Sequence, residues 1–225
     1  MKDVVIAGYA RSPFTFANKG ELTKVRPDDL GAAVVGELVR RSGIDPAAIE
    51  DLICGCAFPE GEQGFNMARM LVFLAGLPQS ITGATVNRYC GSSMQAIHWA
   101  AGAVATNAGD AFLAVGVESM TRIPMMGFNP MPNPALAARY SEAYASMGVT
   151  AENVAKKYGI SRAEQEEIAV ASHAKAAKAR LEGKLEAEIV AIDAPTGRVS
   201  QDGCIRPETT RSEERRVGKE CRSRW

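Results

Sequence analysis

Short apolar stretches alternate with helix-like stretches along the first half of the chain. Four stretches predict strands, at residues 4–7, 49–57, 81–86 and 111–117. Three stretches between them predict helices, at residues 27–42, 66–75 and 92–106. Uninterrupted apolar strands are typical of a sheet that is covered on both faces. The alternation therefore predicts an α/β protein with a mostly parallel sheet and helices on both faces.

Local signals add detail to this first half. Residues 4–7 are apolar throughout and predict a fully buried first strand. The helix that begins at Pro27 has aspartate in an expected capping position, and Gly43 is expected just past its end. Met67 and Met70 recur at helical spacing, which indicates packing in the core rather than a ligand site.

The pattern changes after residue 120. Residues 121–140 contain four prolines and predict a long irregular segment, which is either functional, as a lid, or a plain packed loop. A short helix is predicted at 150–158, closed by Gly159. The spacing of Ser161 and Glu164 predicts a capping box that opens a helix reaching Gly183. Two short stretches, 188–192 and 198–199, predict a hairpin.

Composition and charge narrow the class of protein. Hydrophobic residues make up 46% of the 225 residues and charged residues 23%, which is ordinary for a globular protein. The formal net charge is zero, which argues against nucleic acid as the main partner. The sequence contains no apolar run of about 18 residues, the length of a membrane span. Because it starts without a signal-like or transit-like segment, we expect a cytoplasmic protein.

The cysteines do not form a disulfide or metal-binding pattern. There are five, at positions 54, 56, 90, 204 and 221, an odd number without the spacing of a disulfide framework. Cys54 and Cys56 are two residues apart in a predicted strand, so their side chains point to the same face. A zinc site needs paired ligand sets, which this spacing does not provide. We therefore predict buried packing cysteines here and no metal site.

Cys90 differs from the other cysteines in its position. It lies where the predicted strand 81–86 hands over to the predicted helix that starts at Ser92. The first N–H groups of a helix lack partners within the helix, and the helix dipole is positive there. A thiol in this position favours its thiolate form and is a candidate nucleophile. The alternative is a small cysteine buried between strand and helix.

The two histidines do not provide a base for Cys90. His98 is about two turns further along the same predicted helix, so the two Cα atoms are roughly 12 Å apart at about 1.5 Å per residue. A general base must come within about 3 Å of the proton that it removes. We therefore interpret His98 as structural. His173 lies in a charged helix and is expected to be solvated surface.

Five segments in order resemble the thiolase family, most closely the degradative 3-ketoacyl-CoA thiolases. The sequence VNRYCGSSMQA at 86–96 resembles the nucleophile motif of that family. The other four are GVESMT at 116–121, MGVTAENVA at 147–155, ISRAEQE at 160–166 and IRP at 205–207. The resemblance runs from residue 4 to about residue 210. It implies the N-terminal half of the thiolase fold plus part of an inserted loop domain.

The resemblance also implies a division of the chain. Residues 1–118 would form the N-terminal α/β half that holds the nucleophile. Residues 119–210 would be an incomplete loop domain that covers the active site and holds coenzyme A. Residues 211–225 resemble no thiolase segment. They look like the translation of a DNA-sequencing adapter, with a genuine basic tail as the alternative.

The activity implied by the resemblance is thiolytic cleavage of a 3-ketoacyl-CoA in fatty-acid β-oxidation. Cys90 would be the acyl-accepting nucleophile, and its backbone N–H one oxyanion donor. Met147 and Ser146 would lie in the region that binds the pantetheine of coenzyme A. Coenzyme A is then a substrate, and no cofactor or metal is implied. The complete enzyme is expected to be a homodimer or homotetramer, because residues 66–69 resemble the family's subunit-contact region.

Two parts of the family pattern are missing from these 225 residues. They are a catalytic histidine in a Gly-His-Pro-like motif and a second cysteine flanked by glycines. We therefore expect the chain by itself to be inactive. Acetoacetyl-CoA thiolase is an alternative, although Ser146 stands where those enzymes often have histidine. A non-catalytic thiolase-like chain is a second alternative and a ketoacyl synthase a third, and the motif at 147–155 argues against the synthase.

Overall fold

A computed structural model of the chain describes residues 2–210. These residues divide into two compact units, 2–129 together with 187–204, and 130–186 together with 205–210. The units divide the chain at other positions than the predicted boundary between residues 118 and 119. The predicted division follows function rather than compactness and stays a prediction. The predicted adapter-like tail, 211–225, lies outside the described residues.

The first unit contains a parallel sheet of three strands. They are β1 (Asp51–Gly55), β2 (Thr82–Val86) and β3 (Phe112–Gly116). The order is β2-β1-β3, and β1 pairs in parallel with both neighbours. The carboxyl ends of all three strands therefore lie at the same edge of the sheet. This confirms the predicted parallel arrangement and three of the four predicted strands.

Helices cover both faces of this sheet. They are α1 (Pro27–Ser42), α2 (Met67–Leu74) and α3 (Ser92–Ala105). Alternate residues of β1 point to opposite faces. Leu52 and Cys54 belong to the core formed with α1 and α2. Ile53 packs instead with Ala96 of α3. The prediction of helices on both faces is confirmed.

The ends of helix α1 are set by Pro27 at its start and Gly43 just after its last residue. Pro27 occupies its first turn, where the missing N–H costs nothing. Gly43 follows the helix with φ of 65°, a left-handed conformation that glycine adopts without a Cβ penalty. The predicted aspartate cap is wrong, because the N-cap residue is Arg26. Asp28 lies inside the first turn, where its charge complements the helix dipole, and pairs with the Arg26 side chain at 2.7 Å.

The predicted strand at residues 4–7 is wrong. In the described part of the chain these residues are in no strand, and Val5 and Ile6 are 79% and 77% exposed. An apolar run indicates a tendency to be buried but does not specify a pairing partner. The chain is instead tied down a few residues later, where Arg11 N–H donates to Glu188 O at 2.8 Å.

The segment 187–204 returns to the first unit and holds its N-terminal part. It contains the antiparallel pair β4 (Ile192–Ala194) and β5 (Gly197–Val199), which confirms the predicted hairpin over a shorter length. Arg11 donates two hydrogen bonds to Asp202, at 2.7 and 2.8 Å. Hydrogen bonding to Asp202 raises the pKa of Arg11, and the paired geometry is the strong form of this contact.

The second unit is helical. Its helices are α4 (Pro134–Arg139), α5 (Met147–Tyr158) and α6 (Arg162–Leu181). Ser161 and Glu164 form the predicted capping box, and Gly159 ends α5 with φ of 65°. The shorter 3-10 helices of the two units are Glu21–Lys24, Pro46–Ala48, Gly61–Gln63 and Ser141–Tyr144. In the range 2–210 no helix is both long and apolar enough to cross a membrane.

Replacing a core residue of β1 should cost far more than replacing an exposed apolar residue of the N-terminal run. Leu52 is fully buried, so we expect Leu52→Ala to lower the free energy of unfolding by about 2–5 kcal/mol through lost burial and a cavity. Val5→Ala should change it by no more than about 0.5 kcal/mol. Urea unfolding followed by circular dichroism measures both. A large loss for Val5→Ala would show that residues 4–7 are buried after all.

Candidate active site

Cys90 is exposed at the carboxyl edge of the parallel sheet. It lies between the end of β2 at Val86 and the start of α3 at Ser92, which confirms its predicted position between strand and helix. We call this turn, residues 87–91, the elbow. The alternative of a cysteine buried between strand and helix is therefore wrong. In open α/β sheets ligands bind outside the carboxyl ends of the strands. The thiol thus occupies a place that a substrate can reach.

The turn that carries Cys90 is tightly bonded. Tyr89 has φ of 47°, which is unusual for a residue other than glycine. Ser92 is 3% exposed, and its hydroxyl donates to Tyr89 O at 2.6 Å and accepts from Arg88 N–H at 2.9 Å. Gly91 N–H donates to Arg88 O at 3.1 Å. A costly backbone conformation persists only where its surroundings over-determine it, and these bonds do so here.

A glycine at the end of β1 lets helix α3 come close to the sheet. A Cβ on Gly55 would lie closer than 3.0 Å to backbone atoms of Ser92 and Ser93. A Cβ on Gly116, at the end of β3, would lie 2.8 Å from the Cβ of Ser93. The first turn of α3 therefore rests on the ends of two strands, and its height above the sheet fixes the position of Cys90.

The loops after β1 and β3 are joined to each other and to the elbow. Asn87 donates from its side chain to Ala57 O at 2.9 Å and accepts from Tyr89 N–H at 2.9 Å. Glu118 accepts from Ala57 N–H at 2.7 Å and from the buried amide of Gln63 at 2.6 Å. The sequence pointed to Glu118 only as part of a motif and gave no sign of Gln63. A glutamine outside the predicted helices and strands carries no signal that it will be buried.

The other described cysteines lie in different surroundings. Cys54 and Cys56 are free and buried, which confirms the prediction of packing cysteines. Burial raises the pKa of Cys54 to about 12 and that of Cys56 to about 11, and the charge of Glu118 adds to both shifts. Burial also raises the pKa of the half-buried Cys204. Cys221 lies outside the described residues. Exposure therefore distinguishes Cys90 from these thiols.

The histidine interpretations need correction. His98 is exposed on α3, so it has no structural role in a core. His173 is half-buried rather than solvated, because Arg206 packs against it within the second unit. The Arg206 backbone N–H donates to His173 Nδ1 at 3.2 Å. The sequence could not show this contact, since 33 residues separate the two partners.

Ser146 and Met147 lie at the start of helix α5 in the second unit. Ser146 is the N-cap residue, and its hydroxyl accepts from Val149 N–H at 3.4 Å. Met147 is 66% exposed, so its thioether is available to a ligand. Their predicted contact with coenzyme A stays a prediction.

An open surface pocket of about 330 Å³ lies elsewhere on the first unit. It is lined by charged and apolar residues, among them Glu62, Arg122 and Phe128, and Cys90 is outside its lining. Arg122 donates to Glu62 at 2.8 Å, and this hydrogen bond lowers the pKa of Glu62. The charges are thus mutually neutralised. Among the described residues, no cluster of histidine, cysteine or acidic side chains could hold a metal ion.

Comparison with known proteins agrees with this geometry. Residues 4–217 match the model of the thiolase N-terminal domain. A 3-ketoacyl-CoA thiolase of Bacillus subtilis is 49% identical over 223 residues, covering 93% of this chain and 57% of the relative. The 3-ketoacyl-CoA thiolase of Saccharophagus degradans is 44% identical, covering 93% of this chain and 55% of the relative.

The chain therefore belongs to the thiolase family. This confirms the family resemblance, and the fold is that of the N-terminal half expected from it. The chain spans somewhat more than half the length of the curated relatives that it matches.

Adding one methyl group at Gly55 should disrupt the contact between β1 and α3. Because the new Cβ would meet backbone atoms, we expect Gly55→Ala to destabilise the protein by about 3 kcal/mol or more. Gly102→Ala is the matched control on α3, since nothing lies within 4 Å of its Cβ position. It should stabilise the helix by about 0.5–1 kcal/mol. Urea unfolding of both variants tests the contact, and equal effects would contradict it.

Cys90 should react first with an alkylating reagent. At about pH 8 Cys54 and Cys56 stay protonated, because their raised pKa values lie well above that pH, and both are buried. The protein is treated with substoichiometric iodoacetamide and its peptides are mapped. Of the label found on the four described cysteines, most should be on Cys90. Preferential labelling of Cys54 would contradict the assignment of the reactive thiol. Unfolding the protein in urea should make Cys54 and Cys56 react as well.

Proposed function

We propose that this chain carries the nucleophile of an acetyl-CoA C-acyltransferase that cleaves 3-ketoacyl-CoA with coenzyme A. The observation that carries the proposal is the exposed thiol of Cys90 on a bonded strand-to-helix turn, in a chain of the thiolase family. The relatives named as 3-ketoacyl-CoA thiolases support this choice of substrate. Fatty-acid β-oxidation is the pathway that the activity would serve.

The reaction follows from the chemistry of a thiol nucleophile. The Cys90 sulfur attacks the keto carbon of the substrate, and the carbon–carbon bond to the acetyl-CoA part breaks. Acetyl-CoA leaves as its enolate and takes up a proton. The thiol of a second coenzyme A attacks the acyl thioester on Cys90, which releases a shortened acyl-CoA and restores the cysteine. Two smaller steps thereby replace one difficult step.

This sequence of steps requires more groups than Cys90 supplies by itself. A base must activate Cys90, an acid must protonate the enolate, and donors must hold each developing oxyanion. The backbone N–H of Cys90, just ahead of α3, is our candidate for one oxyanion donor. His98 lies about two turns further along the helix and His173 in the second unit. We assign the remaining acid–base groups to the part of the relatives that this chain does not cover.

Coenzyme A binding is assigned to the start of α5. The exposed thioether of Met147 offers an apolar contact for the pantetheine arm, and Ser146 lies beside it. In this proposal coenzyme A is a co-substrate, and we assign no cofactor or metal. We also propose a homodimer or homotetramer for the complete enzyme and a cytoplasmic location. The four free cysteines at the described positions fit a reducing compartment.

An acetoacetyl-CoA thiolase is the second candidate. The two activities share the nucleophile and differ in the length of the acyl chain. Residues 91–93, Gly-Ser-Ser, stand where the biosynthetic enzymes commonly have Ala-Ser-Gly, which favours the degradative activity. Cleavage rates for 3-ketoacyl-CoA substrates of increasing length would distinguish the two. A non-catalytic chain would show neither activity.

The proposed activity can be tested by supplying the missing part. We define the extended chain as residues 1–210 fused to the remaining C-terminal part of the Bacillus subtilis relative. The extended chain should cleave 3-ketoacyl-CoA in a reaction that depends on coenzyme A. Cys90→Ala should lower kcat by at least about a thousandfold, because it removes the thiol that we propose accepts the acyl group. The disappearance of the magnesium–enolate absorbance of the substrate follows the rate.

Two controls make the result specific. Cys204→Ala, a half-buried cysteine of the same unit, should leave kcat within about twofold of the parent. The 225-residue chain alone should be at least about a hundredfold slower than the extended chain, since positioned acid–base groups contribute that much each. An extended chain that folds but retains its activity without Cys90 would contradict the proposal.

A further inference from the structure

A fully buried amide lies behind the elbow that carries Cys90. Gln63 is 0% exposed, and its Nε2 donates to Phe58 O at 2.8 Å and to Glu118 Oε1 at 2.6 Å. Its Oε1 accepts from Ser119 N–H at 2.7 Å. Both ends of the amide are therefore satisfied, as a buried polar group requires. Exchanging the oxygen and nitrogen of the amide would place its NH2 group against the Ser119 N–H, so that two donors faced each other. The orientation of the amide is therefore fixed.

A continuous path of hydrogen bonds leads from this amide to the nucleophile. Glu118 Oε2 accepts from Ala57 N–H at 2.7 Å, and Ala57 O accepts from the Asn87 side chain at 2.9 Å. Asn87 Oδ1 accepts from Tyr89 N–H at 2.9 Å. Tyr89 is covalently joined to Cys90. The path thus ends one peptide bond from the reactive thiol.

The residue at the end of this path has the unusual backbone conformation. Tyr89 has φ of 47°, a conformation that costs free energy for a tyrosine. Ser92 holds the carbonyl side of Tyr89 from helix α3, and Asn87 holds its N–H from the side of the loops. The turn is therefore held from two sides. Gln63 fixes the carboxylate of Glu118, on which the second of these supports depends.

We propose that Gln63 is a positioning residue for Cys90 and acts through Glu118 and Asn87. The proposal rests on the proposed role of Cys90 as the nucleophile. Without the amide, the Glu118 carboxylate loses a hydrogen-bond donor. The loop after β1, which Glu118 binds through Ala57 N–H, is then held less firmly. Tyr89 can then relax toward an ordinary conformation, which moves Cys90 away from the start of α3. The thiol loses the favourable field of the helix start and reacts more slowly.

The test measures the rate at which iodoacetamide modifies Cys90 in the full 225-residue chain at neutral pH. Peptide mapping separates Cys90 from the other cysteines. Gln63→Leu removes the amide at similar volume and should slow the modification by about two- to fivefold, the range expected from a helix terminus. Asn87→Ala, at an exposed position, should slow it by a similar factor. Because Asn87 is exposed, this variant tests the last step of the path, from Asn87 to Tyr89, even if Gln63→Leu fails to fold.

A double-mutant cycle tests whether the two residues act along one path. If Gln63 acts through Asn87, the combined variant should react no more slowly than the slower single variant. Independent effects would multiply instead. The swap Gln63→Glu with Glu118→Gln exchanges donor and acceptor and should recover part of the rate that Gln63→Glu alone loses. A residue that merely fills volume would show no such recovery.

Val72→Ala provides the control for general destabilisation. Val72 is fully buried on α2 and lies outside the hydrogen-bond path, so its loss should lower stability and leave the Cys90 rate within experimental error. An unchanged rate in folded Gln63→Leu, multiplying effects in the cycle, or equal slowing by Val72→Ala would each overturn the proposal. Alkylation needs no turnover, so an inactive extended chain would contradict the proposed function without affecting this result.

Discussion

The close approach of helix α3 to the end of strand β1 is the constraint on which the position of the thiol depends. Only a residue without a side chain fits at Gly55, because the backbone of Ser92 and Ser93 occupies the space of a Cβ. This contact sets the height of the helix start above the sheet. Cys90, two residues before the helix, is then held outside the strand edge and is exposed to solvent. Packing of backbone on backbone thereby determines where the chemistry can take place.

Hydrogen bonds between the loops also hold the turn that carries Cys90 in place. Three parallel strands end at one edge, so the loops that follow them are neighbours although they are distant in sequence. Glu118 after β3 and Ala57 after β1 are joined directly, and Asn87 after β2 binds the same Ala57 loop. The segment around Glu118, which resembles a family motif, therefore has a structural explanation. It connects the last strand of the sheet to the turn that bears the nucleophile.

Much of this arrangement could be predicted from the sequence, and three of the failures share one cause. The elbow at Cys90 was predictable because strand, turn and helix signals are local. Residues 4–7 were wrongly predicted as a buried strand, because an apolar run does not show which strand it would pair with. His173 was wrongly predicted to be solvated because its contact, Arg206, is distant in the chain. Gln63 was missed for the same reason, as its burial depends on loops that the fold brings together.

The central claim is that Cys90 accepts an acyl group from a thioester. Its most direct test is intact-mass and peptide mass spectrometry of the extended chain after brief incubation with acetyl-CoA and acid quenching. We expect one added acetyl group per chain, located on the peptide that contains Cys90 and removed by added coenzyme A. An acetyl group that is located on another residue, or that still forms in the Cys90→Ala variant, would contradict it.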